Sequence, residues 1–203
     1  VNISARIDTP TLAGLVDLSA PAPASITPSA IAHGLGQIAR WVGATEIPFS
    51  VAQHSLLVHD LLRELFPGLR RQAIHALLHD AHEYLIGDIS QPAERALTAA
   101  VPEFGPALAA LKGRLDNAIR GALRVSAPAP EIVAAVKTAE EVAAHIEWLR
   151  RLPAINGASP FGAEPATRRA KSRLLKPMTW AAAADAYRDA LERELAERAW
   201  EKP

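Results

Sequence analysis

From His79 the chain reads His79-Asp80-Ala81-His82-Glu83-Tyr84-Leu85-Ile86-Gly87-Asp88, two imidazoles and three carboxylates within ten residues. Ile74, Leu77, Leu78 and Ala81 follow helical spacing, so the group stands in a third helical run that reads as buried and ends near Gly87. Ionisable side chains are costly in such a place unless they hold a metal or do chemistry. A chain that carries them must fold so that other elements bring partners to this segment. His54, in Ser50-Val51-Ala52-Gln53-His54-Ser55, is the first candidate partner.

The pattern around it is helical throughout. Residues 1–29 read as irregular, with Pro10, Pro21, Pro23 and Pro28 and no strand-length alternation. A helix is expected from Ser29 with Ile31, Leu35, Ile38 and Trp41 on one face. A second is expected from a Ser50 cap, with Leu57, Leu61, Leu62 and Leu65, ending at Pro67-Gly68. After the His79–Asp88 segment, Pro92 opens a short helix to about Ala100, and another runs from about Pro102 to Arg124. Pro128 and Pro130 precede a long helix to about Leu152. Residues 153–165 read as the longest loop, and an Ala-rich helix follows from Thr179 to about Trp200. The expectation is an all-α single domain over 1–203, a compact helical bundle with its core at about 29–152 and a C-terminal helical extension at 166–200.

Composition narrows the chemistry. The chain has no cysteine, which removes thiolate nucleophiles and Cys-type zinc sites, so any metal must sit on nitrogen and oxygen. Lys plus Arg number 22 against 22 Asp plus Glu, and a balanced chain lacks the basic excess of a nucleic-acid polymer binder. No run approaches a membrane span and the N-terminal residues lack a basic-then-apolar signal pattern, so a cytoplasmic protein is expected.

On a helix, His79 and Glu83 stand one turn apart with Asp80 beside them. If the helix carrying His54 runs antiparallel, two imidazoles and a carboxylate meet, a mixed N/O set suited to one divalent transition metal: Zn, Mn, Co, Ni or Fe. Glu83, close but not needed as a ligand, is the candidate general acid or base. The second His-Asp pair, His59-Asp60, has no carboxylate a turn later and reads as a solvated helix edge. His75 reads as a neighbour of the site, His33 as a capping or loop residue and His145 as structural.

Four blocks carry a resemblance: residues 32–41 (Ala-His-Gly-Leu-Gly-Gln-Ile-Ala-Arg-Trp), 51–55 (Val-Ala-Gln-His-Ser), 79–92, and Val136-Lys137-Thr138-Ala139-Glu140. Together the chain resembles the HD-domain phosphohydrolases, in the small branch similar to 5′-deoxynucleotidases and phage dATP triphosphohydrolases. The resemblance implies a compact helical fold, one metal and hydrolytic removal of phosphate from a nucleotide. By position it implies His54, His79, Asp80 and Glu140 as metal ligands, and Glu83 as the residue that orients or activates water. It implies Asp88 at the sugar, Arg40 and Trp41 lining the nucleotide pocket with Arg40 facing phosphate, and Lys137 as a second phosphate contact. Glu140 stands where the family usually carries Asp, with Glu141 as the neighbouring alternative. Glu94 stands where many relatives carry Lys, which slightly disfavours a triphosphate and favours a monophosphate or a different ligand.

The expected function is therefore a metal-dependent nucleotide phosphohydrolase acting on a mono- or triphosphate. The alternative is a metal- or nucleotide-binding module without turnover, acting as a sensor or partner protein. Only His82 lies between Asp80 and Glu140 as a further imidazole, which favours a mononuclear site over the two-metal HD enzymes. A homodimer or higher homo-oligomer is the expected assembly, drawn from family habit.

Overall fold

The computed structural model describes residues 8–152 and 176–199; the loop read at 153–165 and Trp200 lie outside the described residues. Helices dominate, and among the described residues the bundle is all-α apart from one small hairpin. Strands β1 (Asp8–Thr11) and β2 (Gly14–Asp17) pair antiparallel, Thr9 opposite Val16 and Thr11 opposite Gly14. This corrects the irregular reading of the segment. Pro10 argues against a central strand, but in a two-stranded sheet both strands are edges and tolerate it. Gly14 turns at φ +111, which L side chains rarely adopt, and Thr11 Oγ1 accepts from Ala13 N at 3.1 Å to close the turn. Val16 points into the core.

Helix α1 (Pro28–Gln37) starts where its residues dictate: Thr27 accepts from Ala30 N at 3.1 Å, and Pro28 sits in the first turn. It stops at Gln37, short of the expected Ile38 and Trp41. Ala39 instead forms an antiparallel bridge with Ser50, with Arg40 N donating to Phe49 O at 2.9 Å and Val51 N to Ile38 O at 3.0 Å. The bridge closes the loop between them and sets Arg40 and Trp41 beside the start of the next helix.

That helix, α2 (Val51–Leu65), is the centre of the bundle. Ser50 and Gln53 form a reciprocal capping box. Leu57, Leu61 and Leu62 are fully buried, each contributing roughly 1.5–3 kcal/mol of apolar burial. Pro67 and Gly68 end it in a 3-10 stretch, Pro67–Gln72. Around α2 pack α1, α3 (Ile74–Leu77), α7 (Pro130–Arg151) and α8 (Trp180–Ala199), while α5 (Gln91–Ala100) lies on α6 (Phe104–Leu123).

Helix α8 joins the same core. A Cβ on Gly36 would lie 2.8 Å from Trp180 O and 2.9 Å from Ala184 Cβ, so α1 and α8 touch only because this position has no side chain. Tyr187, fully buried, donates its hydroxyl to Leu77 O at 2.7 Å. His59 is not a solvated edge as its spacing suggested: it is buried, and its Nε2–H donates to Glu194 Oε1 of α8 at 2.8 Å, with Arg63 on the same oxygen at 2.9 Å. The carboxylate that explains His59 comes from 135 residues away, beyond the reach of any local pattern.

Candidate metal centre

The His79–Gly87 segment is not one continuous helix. After α3 the backbone winds through bonds of the i to i+3 kind, Ala81 N to Leu78 O at 3.2 Å, Glu83 N to Asp80 O at 3.0 Å and Tyr84 N to Ala81 O at 3.3 Å, before the single turn of α4 (Glu83–Ile86). Three residues per turn eclipse positions i and i+3. Asp80, rather than His79, therefore stacks over Glu83. Gly34 makes room for the segment: a Cβ there would meet Tyr84 Cβ at 2.8 Å. Gly87, at φ +80, ends α4 just before Asp88, its N–H donating to Glu83 O.

His54 of α2 meets this turn from the side. His54 Nε2 lies 3.2 Å from His79 Nε2 and 3.7 Å from Asp80 Oδ2, and His79 Nε2 lies 3.0 Å from the same oxygen. Each imidazole is fixed through its other nitrogen. His54 Nδ1–H donates to Glu147 Oε1 at 2.6 Å, and His79 Nδ1–H donates to Ala76 O at 2.8 Å. With both Nδ1 atoms engaged as donors, Nε2 is the atom each ring has left to meet a proton or a cation, and the two face each other and a carboxylate. Ligands about 2.1 Å from one ion, at angles of 90–120°, stand about 3.0–3.6 Å apart, close to the sides of this triangle. His54, His79 and Asp80 thus form a group that could hold a metal ion.

Burial works against charge on His79, but the neighbouring Asp80, its hydrogen bond and Glu140 behind it push the imidazole up to about 9. A proton and a divalent cation therefore compete for the same lone pair. Burial also raises Asp80, yet His79, His54 and Arg40 hold its carboxyl far below the usual range. Glu83 behaves in the opposite way. Burial, then the charges of Asp80 and Asp88, push it up to about 9, and its Oε2 is buried with no hydrogen-bond partner. Burial raises Asp88 too, against the pull of Arg40.

Arg40 faces all of these carboxylates. Burial lowers its pKa, but Glu147, Asp80, Asp88 and Glu83 together raise it. Its Nη2 lies 3.6 Å from Glu147 Oε2, while its Nε is buried with no hydrogen-bond partner. Trp41 Nε1 donates to Glu147 Oε2 at 3.0 Å, and its ring meets Trp148 edge-on at 5.9 Å between centroids. Trp41 and Val42 adopt left-handed backbone, φ 58 and φ 53. For residues other than Gly this costs on the order of 1–3 kcal/mol each, so the surrounding contacts must hold the turn.

Glu140 stands apart from the triangle. With His79, Asp80 and Lys137 it lines a cleft of about 300 Å³ whose other walls include Leu78, Val133 and Arg120. Glu141 pairs with Lys137 at 3.9 Å, both exposed. Of the two acids, the cleft thus holds Glu140. Glu94 does not leave its neighbourhood acidic, because Lys112 of α6 lies 3.5 Å from its Oε2 and also acts on Asp88.

No family model matches the chain. Over 137 residues it is 41% identical to an uncharacterized protein of Rhodobacter capsulatus, a match covering 65% of this chain and 66% of that protein. The chain thus matches just under two thirds of that protein's length, and the similarity brings no activity with it.

The residue that sequence reasoning left without a role is Glu147. It lies on the α7 stripe of Lys137, Glu140 and Ala144, and its place seven residues beyond Glu140 is the signal that could have drawn attention to it. His82 is likewise committed elsewhere: its Nδ1–H donates to Asp116 Oδ1 of α6 at 3.0 Å. Among the described residues, no helix is long and apolar enough to cross a membrane.

Proposed function

We propose that this chain is a metal-dependent phosphohydrolase of the HD-domain type, acting on a small nucleotide or deoxynucleotide. The observation that carries the reading is the triangle of His54 Nε2, His79 Nε2 and Asp80 Oδ2, with both imidazoles locked through Nδ1 so that their lone pairs converge. His54, His79 and Asp80 would hold one divalent transition metal, with Glu140 at the cleft edge as the further candidate ligand. When bound, the ion would supply an acidified water and polarise a phosphoryl oxygen.

The chain's own residues supply the rest. Arg40, with its buried Nε still free to donate, binds and orients a phosphoryl group as a planar donor. Burial and the charges of Asp80 and Asp88 favour the protonated form of Glu83, a bound cation would oppose them, and its Oε2 has no partner, so it can give a proton to, or take one from, a water or a leaving oxygen. Asp88, beside Arg40 and Lys112, accepts from a sugar hydroxyl. Trp41 offers an apolar ring beside the phosphate site, and Lys137 with Glu140 borders the cleft. Lys112, 3.5 Å from Glu94, offsets part of its charge, which supports a substrate with more than one phosphate alongside a monophosphate.

The test is release of phosphate, pyrophosphate or triphosphate from a panel of nucleoside mono-, di- and triphosphates, each with Mn²⁺, Co²⁺, Zn²⁺, Ni²⁺ or Fe²⁺. Metal-dependent release from at least one nucleotide is expected, and the released species identifies the substrate class. A protein that binds metal but releases nothing across the panel would be the binding module instead.

A further inference from the structure

Glu147 sits in the middle of α7, fully buried, where a carboxylate is tolerated only if every oxygen is used. Its two oxygens serve two different parts of the site. Oε1 accepts from His54 Nδ1–H at 2.6 Å; Oε2 accepts from the Trp41 indole at 3.0 Å and lies 3.6 Å from Arg40 Nη2.

We propose that Glu147 is a positioning residue that couples metal binding at His54 to the order of the Arg40–Trp41 turn. The inference rests on His54, His79 and Asp80 being metal ligands. Through Oε1, Glu147 fixes the tautomer of His54 that carries its proton on Nδ1 and its lone pair on Nε2, the atom facing His79 and Asp80. Through Oε2 it holds Trp41, whose left-handed backbone (φ 58, ψ 31) continues into Val42 (φ 53, ψ 30), a β-branched residue that disfavours this region. Arg40 is the residue before Trp41, so its guanidinium is aimed by the same turn. One rigid carboxylate thus spans the ligand side and the anion side of the site. Loosening either bond loosens the other.

The conservative variant E147Q separates this from mere packing. A glutamine has one acceptor and one donor end. If its oxygen keeps the Trp41 indole, its amide faces His54 Nδ1, which must then accept, and the proton moves to Nε2, where a ligand lone pair is needed. Full-length wild type, E147Q and W41F are titrated with Zn²⁺ against a chromophoric chelator, and the His54 tautomer of the metal-free proteins is read from long-range ¹H–¹⁵N spectra. We expect Zn²⁺ affinity to fall roughly 10- to 100-fold in E147Q. Its His54 should shift toward the Nε2–H tautomer. W41F, which keeps a ring against Trp148 but loses the indole N–H, should lose several-fold in Zn²⁺ affinity without contacting the metal ligands.

Wild-type affinity in E147Q, an unchanged His54 tautomer, or unaltered affinity in W41F would each overturn the proposal. If E147Q does not fold, the half-buried Trp41 position carries the test alone. A wild-type chain that binds no Zn²⁺ would instead defeat the metal reading itself. Phosphate release in the panel above is scored independently of these affinities.

Discussion

His54 Nε2 and His79 Nε2 face each other at 3.2 Å, each imidazole having spent its Nδ1–H on a carbonyl or carboxylate behind it. Two nitrogen lone pairs at that distance need a cation or a proton between them. Divalent metal should therefore stabilise the fold. At about one hundred times its Kd a ligand adds about 2.7 kcal/mol, roughly 5–10 °C in melting temperature for a chain of this size. Calorimetry with Mn²⁺, Co²⁺ or Zn²⁺, reversed by chelator, checks this. His79→Ala should abolish both the shift and the bound metal, and a shift that survives in this variant would place the ion elsewhere.

Glu83 lies beside the triangle but outside it. Glu83→Gln should keep bound metal at the wild-type level while turnover falls by roughly two to four orders of magnitude. Elemental analysis and a phosphate-release assay on the same preparation separate the two effects. Loss of metal in Glu83→Gln would make Glu83 a ligand instead.

Gly36 governs the packing of α1 on α8. Gly36→Ala would drive a Cβ to 2.8 Å from the Trp180 carbonyl, a backbone atom that cannot swing away. The cost expected for such overpacking is about 1–3 kcal/mol, at roughly 2–4 °C of melting temperature per kcal/mol. Thermal unfolding of the variant measures it; an unchanged transition would mean that the two helices separate at no cost.

His75 lines the cleft in neutral form. Burial, with Arg198 and Arg120 nearby, lowers its pKa to about 4, against about 6.5 in an unfolded chain. Between those values the unfolded state binds more protons than the folded state, so acid favours unfolding. The contribution of His75 is fully present above about pH 6.5 and is lost as pH falls toward 4. Urea unfolding at pH 7 and pH 5 should show a smaller loss of stability for His75→Gln than for wild type. Equal losses would show that His75 titrates alike in both states.

How much of this was legible before folding depends on the range of the interaction. Ser50 and Gln53 cap α2 through neighbours three residues apart, Pro67-Gly68 ends it, and Pro92 and Pro130 open helices, because caps and breakers act within a single turn. The His79-Asp80 pair with Glu83 stood out for the same reason: ionisable side chains in an apolar run conflict with local burial. Less visible was the 3-10 winding after Leu78, which stacks Asp80 rather than His79 over Glu83, since periodicity alone does not distinguish 3.6 from 3.0 residues per turn over so short a stretch.

By itself, then, the sequence determined the all-α class, the helix ends marked by local caps and breakers, and the presence of a His/Asp group that could hold a metal. The tertiary structure alone decided what completes each group. Glu147 reaches His54 from 93 residues away, Glu194 reaches His59 from 135, and Lys112 crosses from α6 to Glu94. The physical reason is that a buried charge is tolerated only when a partner is brought to it, and which partner arrives is set by how the helices cross, not by the residues beside it in the chain.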